Sequence, residues 1–344
     1  MSTASGVNVQ KSPQAEGDLI AVGADDITVD AHNDADSVFS EDPSSTTSIA
    51  SSVLEYRQLR GRTYHSDKFT NNYHIPNDDQ QIESEELGHH MMTMLFDDQL
   101  FLAPLEKDKI NRVLDVGTGS GIWAIEFADR FPNASVIGTD LSPSQPQWVP
   151  PNVRFEIDDA TLDWTWNDNH FDFIHARYLF GGIQDWAGFF KEAYRCCAPG
   201  GWVQSAECDI EFRSDDGSTE LEPVLASYAE LFREAGKVLN ISFFVQELQQ
   251  RAFDEAGFVE KRTVRYKIPI GPWAKDRKLA EVGRFARAAM ENDVEGYTQM
   301  AWHNVLQRSA TEHEAWLANL RKAMRNPKVH SYMTTHVVYG RKPE

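Results

Sequence analysis

The chain has 344 residues, and its 53 acidic against 33 basic side chains give a formal charge of −20. A nucleic-acid-binding surface needs clustered Lys and Arg, so direct contact with nucleic acid is not expected, and no apolar run is long enough to cross a bilayer. The three cysteines, of which Cys196 and Cys197 are adjacent, form no C-x-x-C pair and predict neither a disulfide framework nor a metal site. These features favour a reduced, cytoplasmic setting without a membrane partner.

The N-terminal part of the chain is predicted to contain a tail and a lid. Residues 1–52 are rich in Ser, Asp, Ala, Thr and Gly and poor in aromatic side chains, so we expect a disordered acidic tail that buries little apolar surface. Residues 53–105 are expected to form a helical lid, with one helix over Ser52–Arg62 and a second over Asp78–Leu105. The second helix is expected to pack over a bound ligand.

A glycine-rich turn follows the lid. Residues 112–122 read Arg-Val-Leu-Asp-Val-Gly-Thr-Gly-Ser-Gly-Ile, an apolar strand that leads directly into the turn. Gly117, Gly119 and Gly121 permit positive φ angles and a close approach of the backbone to a nucleotide. A dinucleotide-binding turn would need its third glycine at position 122, which is isoleucine, so the spacing G-x-G-x-G indicates a different cofactor. The helix Ile122–Arg130 begins immediately and offers free amide donors.

Four further strands are predicted after this turn, with a helix between the last two. The strands are Ala134–Asp140, Val153–Ala160, Phe171–Arg177 and Gly200–Glu207, and the helix is Trp186–Cys196. Alternating strands and helices predict a parallel sheet that binds its ligand at the carboxyl ends of the strands. Asp140 lies about twenty residues after the glycine turn, where such folds place the carboxylate that binds the ribose hydroxyls.

The remainder of the chain is predicted to add a cap and to close the sheet. Residues 211–247 are expected to insert an amphipathic helix, Glu220–Val238, that covers a substrate pocket. Residues 248–344 then supply two helical segments and two strands. These are the helices Val245–Ala256 and Leu279–Arg325 and the strands Phe258–Pro269 and Ser331–Gly340. The last two strands are expected to form an antiparallel pair.

The glycine spacing, preceded by Leu114-Asp115, resembles that of S-adenosylmethionine-dependent methyltransferases. Further motifs over nearly all of the chain after Val53 resemble the fungal LaeA-like group within them. They are Tyr73-His-Ile-Pro-Asn-Asp78, Phe171-Asp-Phe-Ile-His-Ala-Arg177, Ser214-Asp-Asp-Gly217, Gly271-Pro-Trp-Ala-Lys-Asp276 and Gly340-Arg-Lys-Pro343. After the Pro-Asn-Asp of the first motif, the LaeA-like group commonly has an acidic residue and then an Asp-Arg-Leu step. This chain differs from the group there, because it has Gln81 and Glu83-Ser84-Glu85.

The resemblance implies an α/β, Rossmann-like methyltransferase fold with a seven-stranded, mostly parallel sheet and helices on both faces. The implied fold also contains an N-terminal helical lid, a cofactor-binding core over residues 106–210 and a helical insertion after the fifth strand. S-adenosylmethionine is the implied cofactor, with Leu141 beside the adenine ring and Asp159, in preference to Asp158, at its amino group. The full implied cofactor set is Asp115, Gly117, Thr118, Gly119, Gly121, Asp140, Leu141, Asp159 and Ala160.

Candidate catalytic residues are His175 and Arg177 after the fourth strand and Tyr73 and His89 from the lid. A phenol, alcohol or amine acceptor needs a base within hydrogen-bond reach, whereas a carboxylate or thiolate does not. For each histidine the alternative is a packed or capping side chain, and Arg177 either binds an acceptor carboxylate or forms a structural ion pair. Four aromatic residues are candidates for lining an apolar acceptor site. They are Phe180, Trp186, Tyr228 and Trp273.

Three functions agree with these motifs, because a cofactor site does not identify the acceptor. We favour a methyltransferase that acts on a small molecule in a tailoring step of fungal secondary metabolism. The second is a LaeA-like regulator that works with velvet-type protein partners, for which a nuclear location would be expected. The third is a protein that binds the cofactor without catalysis.

Overall fold

The computed structural model describes residues 55–69 and 73–344, and the predicted tail lies outside them. The first described element is a β-hairpin of β1, Tyr56–Leu59, and β2, Arg62–Ser66. The helix predicted over Ser52–Arg62 is therefore wrong. Arg60 and Gly61, with φ of 50° and 81°, form a tight turn with two left-handed residues, which is the geometry that reverses a two-stranded ribbon.

Helix α1, Asp79–Leu95, follows the hairpin and begins at the N-cap Asp78, whose carboxylate accepts a hydrogen bond from the Gln81 amide. It is ten residues shorter at its C-terminal end than the predicted helix over Asp78–Leu105. Asp97 and Asp98 have φ of 56° and 61°, a left-handed conformation that a helix cannot continue through.

A seven-stranded sheet forms the centre of the fold, as predicted. Its strands are β3 Arg112–Val116, β4 Ser135–Asp140, β5 Val153–Ile157, β6 Phe171–Arg177, β7 Cys197–Arg213, β8 Val259–Pro269 and β9 Tyr332–Arg341. Their spatial order is β5-β4-β3-β6-β7-β9-β8. Strand β9 runs antiparallel to both β7 and β8, and the other neighbouring pairs of this sheet are parallel. The carboxyl ends of β3 to β6 therefore meet at one edge of the sheet.

Helices cover both faces of this sheet, also as predicted. They are α2 Ile122–Arg130, α3 Trp186–Cys196 and α5 Gln246–Ala256. Neighbouring residues of a strand point to opposite faces: Val113 packs in one apolar cluster with Phe127 of α2, and Leu114 packs in another with Phe190 of α3 and Phe253 of α5. The near-continuous apolar character of β3 follows from burial on both faces.

The remaining helices lie over the carboxyl edge of the sheet. They are α4 Val224–Leu239, α6 Arg277–Gln299 and α7 Ala310–Met324, which share an apolar cluster with α1. The single helical stretch predicted over Leu279–Arg325 is interrupted, because Asp293 has non-helical φ and ψ of −135° and 30° and Met300–Val305 forms a π-helix. None of the helices in the described part of the chain combines the length and apolar character needed to cross a membrane.

Candidate functional site

A cavity of about 270 Å³ lies at the carboxyl ends of β3 to β6, beneath α1, α4 and α6. Nine of the thirteen predicted site residues line it. They are Tyr73, Gly117, Thr118, Gly119, Asp140, Leu141, Asp159, Ala160 and Arg177. Asp115, Gly121, His89 and His175 are not on its wall. The fold therefore brings together most of the predicted cofactor residues but only two of the four predicted catalytic ones.

The glycine turn, Gly117–Gly121, forms the floor of the cavity. Gly119 has φ of 56° and donates its amide to Asp140 Oδ2 at 2.9 Å. A Cβ atom at Gly119 would lie 2.5 Å from Glu85 Oε2, so a larger residue would fill the space above the turn. Gly121 is the N-cap residue of α2, has a left-handed conformation and packs against Phe155.

Asp140 lies at the end of β4 and lines the cavity. Its Oδ1 accepts a hydrogen bond from the Ser142 amide at 3.1 Å, and burial raises the pKa of its carboxyl group. The hairpin lies at this end of the cavity: His65 lines it, and burial, with the Asp140 charge next in importance, raises the pKa of Tyr56. Neither residue was assigned to the site from the sequence, which predicted a helix over Ser52–Arg62 and therefore no hairpin here.

Asp159 has one carboxylate oxygen engaged and one without a partner. Oδ1 accepts hydrogen bonds from the Thr161 amide at 3.0 Å and from Thr161 Oγ1 at 2.6 Å. Oδ2 is buried on this cavity-lining residue and has no partner in the described part of the chain. Asp158 instead uses its Oδ1 to accept the Asp159 amide at 3.0 Å. A buried acceptor without a donor fits the amino group of adenine, which agrees with the preference for Asp159.

Asp115 and His175 lie together below the glycine turn. His175 Nδ1 donates to Asp115 Oδ1 at 2.7 Å, and Thr118 Oγ1 donates to Asp115 Oδ2 at 2.6 Å. The His175 ring is 2% exposed and stacks on Trp123 with centroids 3.8 Å apart. Burial lowers the pKa of His175, so the ring is neutral. The predicted role of His175 as a base has no support in this geometry, because its ring lies below the glycine turn against Trp123 and is not on the cavity wall.

Arg177 lines the cavity from the end of β6, and its guanidinium group contacts His89, which is not on the cavity wall. Arg177 Nη2 donates to His89 Nδ1 at 3.3 Å, so His89 Nε2 carries the proton and faces Glu126 Oε1 at 3.2 Å. Burial, with the Arg177 charge next in importance, lowers the pKa of His89 to about 2. His89 is thus a neutral residue that orients Arg177 and does not contact an acceptor in the cavity.

Besides His65, the imidazole of His74 lines the cavity. It is 2% exposed, meets Phe243 edge-on at 5.0 Å between centroids, and its Nδ1 has no partner among the described residues. Burial lowers its pKa to about 4. The adjacent Tyr73 also lines the cavity, and burial raises the pKa of its phenol. The motif Tyr73–Asp78 signalled this segment, although the sequence did not indicate which ring faces inward.

The part of the cavity furthest from the glycine turn is mainly apolar. Its lining residues include Tyr178, Phe180, Ile210, Tyr228, Phe232, Ile268, Ile270, Met290 and Met333. Phe180 and Tyr228 were predicted there. Trp186, the first residue of α3, is instead buried in one apolar cluster with Phe190 and Phe253, and Trp273 donates its Nε1 to the Ser331 carbonyl at 2.9 Å. These two indole side chains therefore pack in the core and do not line the cavity.

Two glutamates that the sequence did not assign, buried Glu207 and half-buried Glu85, also shape the site. Glu207, in β7, accepts the Leu179 and Phe180 amides at 3.3 and 3.0 Å and so holds the loop after β6. Burial raises its pKa to about 8. Glu85, in α1, lines the cavity opposite the glycine turn, and burial raises its pKa to about 7. The sequence feature that could have identified Glu85 as a site residue was the departure from the Asp-Arg-Leu step.

Residues 87–260 match the family model described as Methyltransferase domain. The chain is 36% identical over 313 residues to Methyltransferase pytC from Aspergillus terreus, a match that covers 90% of this chain and 95% of that protein. It is 28% identical to Secondary metabolism regulator LAE1 from Cochliobolus heterostrophus, a match that covers 83% of this chain and 94% of that protein. It is 27% identical to Protein-methionine methyltransferase laeA from Emericella nidulans, with 84% and 77% covered. The family match includes the glycine turn and the strand ends that line the cavity.

Proposed function

This chain belongs to the S-adenosylmethionine-dependent methyltransferases, and we propose that its acceptor is an apolar small molecule methylated in a tailoring step of secondary metabolism. The observation that carries this proposal is the apolar compartment continuous with the cofactor end of the cavity. Its walls come from α4, α6, β7 and β8, which lie outside the minimal nucleotide-binding strands β3 to β6. Apolar walls with few polar groups are typical of small-molecule sites.

The cofactor supplies an electrophilic methyl group on a sulfonium, so the residues of this chain have to align two molecules and exclude water. Gly119, Asp140 and Asp159 would hold the nucleoside end. Phe180 and Tyr228 would keep the acceptor dry, because both lie in the apolar part of the wall. His74 would accept a proton from an acceptor hydroxyl, since its ring is neutral and lines the cavity.

A second candidate is methyl transfer to a protein partner. It is favoured by the 27% identical relative named as a protein-methionine methyltransferase. A thioether acceptor needs no base, so this alternative predicts transfer that does not depend on His74. It also requires that a side chain of the partner enter the cavity past α1 or the hairpin.

The two candidates differ in where a labelled methyl group appears. Purified protein is incubated with methyl-labelled S-adenosylmethionine and, separately, with the small-molecule and protein fractions of a fungal culture extract. Transfer to a compound in the small-molecule fraction supports the proposal, and transfer to protein alone contradicts it. Gly119→Val is the control, because its side chain occupies the space above the turn and should abolish transfer in both fractions.

A further inference from the structure

We propose that Glu85 and Arg177 form a two-charge subsite for the amino-acid end of the cofactor. Glu85 binds the α-ammonium group, and Arg177 binds the α-carboxylate. This inference rests on the cofactor and not on the identity of the acceptor, so it holds for either candidate function. It assigns a binding role to a lid residue that the cofactor motifs do not include.

Glu85 reaches the glycine turn from the lid helix α1. Its Oε2 accepts the Ser120 amide at 3.1 Å and lies directly over Gly119, and its Oε1 accepts Gln81 Nε2 at 3.1 Å. Neither oxygen has a cation within ion-pair distance in the described part of the chain. A half-buried carboxylate held by neutral donors alone lacks the positive charge that usually compensates it. The α-ammonium group would supply that charge.

The acid at the end of β3 does not compete for this role. Asp115 has one oxygen engaged by His175 at 2.7 Å and the other by Thr118 at 2.6 Å, and it is not on the cavity wall. Asp140 uses its two oxygens on the Gly119 and Ser142 amides at the ribose end. Glu85 is therefore the carboxylate that faces the region above the turn.

Arg177 supplies the opposite charge. It is the one lysine or arginine on the cavity wall within residues 55–69 and 73–344, and no carboxylate of those residues lies within ion-pair distance of it. Its contact with neutral His89 fixes its direction without neutralising it. The arginine of the Asp-Arg-Leu step is replaced by Ser84, whose Oγ donates to the Ala289 carbonyl at 2.8 Å in the packing of α1 on α6.

The two charges are also placed so that they do not neutralise each other. Arg177 is near enough for its charge to lower the pKa of Glu85, but the two side chains form no ion pair. Opposite charges that face one cavity and remain apart match a zwitterion, whose ammonium and carboxylate groups are separated by one carbon. Charge-assisted hydrogen bonds of this kind are the stronger ones in proteins.

Three ligands separate the two halves of the subsite. S-adenosylhomocysteine has both charged groups, decarboxylated S-adenosylmethionine has only the ammonium group, and 5′-methylthioadenosine has neither. Calorimetric titration is performed with the full chain, with Glu85→Gln and with Arg177→Gln, without any acceptor. Glu86→Gln is the matched control, because Glu86 is exposed on the same helix.

Glu85→Gln should weaken binding of S-adenosylhomocysteine and of decarboxylated S-adenosylmethionine by at least about tenfold, the loss expected for one charged hydrogen bond. Arg177→Gln should weaken only S-adenosylhomocysteine to that extent. Both variants should bind 5′-methylthioadenosine like the wild type, which also shows that they are folded. Equal weakening of all three ligands, or unchanged binding of S-adenosylhomocysteine, would overturn the assignment. Neither result bears on whether the acceptor is small.

Discussion

His175 Nδ1 donates a 2.7 Å hydrogen bond to Asp115 Oδ1 underneath the glycine turn, and this contact ties β6 to β3 at the point where the cofactor binds. Both side chains are at most 3% exposed. The pair lies on the α2 side of the sheet, where the His175 ring stacks on Trp123. It therefore supports the turn from below.

His175→Phe should destabilise the protein and leave turnover of the folded fraction largely intact. Phenylalanine keeps an aromatic ring on Trp123 but removes the donor to buried Asp115, which costs about 2 kcal/mol. Urea unfolding measures the loss, and methyl transfer is assayed well below the unfolding midpoint. His90→Gln, an exposed change in α1, is the control. A large fall in kcat at unchanged stability would instead show that His175 is a base.

Asp159→Asn should change which purine the site prefers. The carbonyl oxygen of the new amide would keep the Thr161 hydrogen bonds, while its NH₂ group, a donor, would replace the unpartnered Oδ2. The variant should bind S-adenosylhomocysteine about tenfold more weakly and should discriminate less against S-inosylhomocysteine, whose C6 carbonyl oxygen accepts a hydrogen bond from that NH₂ group. Competition titrations with both ligands measure the ratio, with exposed Asp163→Asn as control. An unchanged ratio would place the adenine elsewhere.

Arg62→Met should detach the hairpin. Arg62 donates from Nε to Asp78 Oδ2 at 2.5 Å and from Nη1 to Asp293 Oδ1 at 2.6 Å, and the Asp293 side chain is fully buried. Removing one member of a buried ion pair typically costs about 3–5 kcal/mol. We expect that loss in chemical unfolding together with weaker cofactor binding, because His65 lines the cavity. Arg262→Met, on the exposed part of β8, should do neither.

Met290→Trp should block the acceptor compartment without affecting the cofactor. Met290 is half-buried in α6 and lines the apolar end of the cavity, so an indole there takes acceptor volume. Turnover should fall by about tenfold or more while the Kd for S-adenosylhomocysteine stays the same. Met290→Leu keeps the volume and is the control. Normal turnover by the tryptophan variant would move the acceptor site away from α6.

Cofactor affinity should depend on pH through Glu85. Burial raises the pKa of Glu85 to about 7, and Tyr73, Asp140, Arg177 and Tyr297 are the ionisable groups around it. Only the ionised carboxylate attracts an ammonium group, so affinity for S-adenosylhomocysteine should be full only at pH values clearly above 7 and should decrease as the pH falls through about 7. The Glu85→Gln profile should be flat in this range. A wild-type profile without this decrease would contradict the ammonium contact.

Local patterns predicted most of the sheet. Phe171–Arg177 and Trp186–Cys196 agree with the structure to the residue, because apolar runs bounded by turn residues have few alternative conformations. The hairpin was missed because its short strands carry polar side chains. The break at Asp293 was missed because no proline stands there and the ion pair of its carboxylate with Arg62 cannot be read from the local sequence. That partner lies 231 residues away in the sequence.

The sequence by itself determined the glycine turn, the strand-end acids and therefore the class of cofactor, because these features depend on spacing within a few residues. Only the tertiary structure decided which side chains face the cavity. His175 and Arg177 are two positions apart on β6 and share a face, but Arg177 is the last residue of the strand and lines the cavity, whereas His175 lies deeper and stacks on Trp123. The position of Glu85 over Gly119 requires α1 to pack across the carboxyl edge of the sheet. No spacing along the chain encodes that packing, which follows from the apolar cluster that α1 shares with α4 and α6.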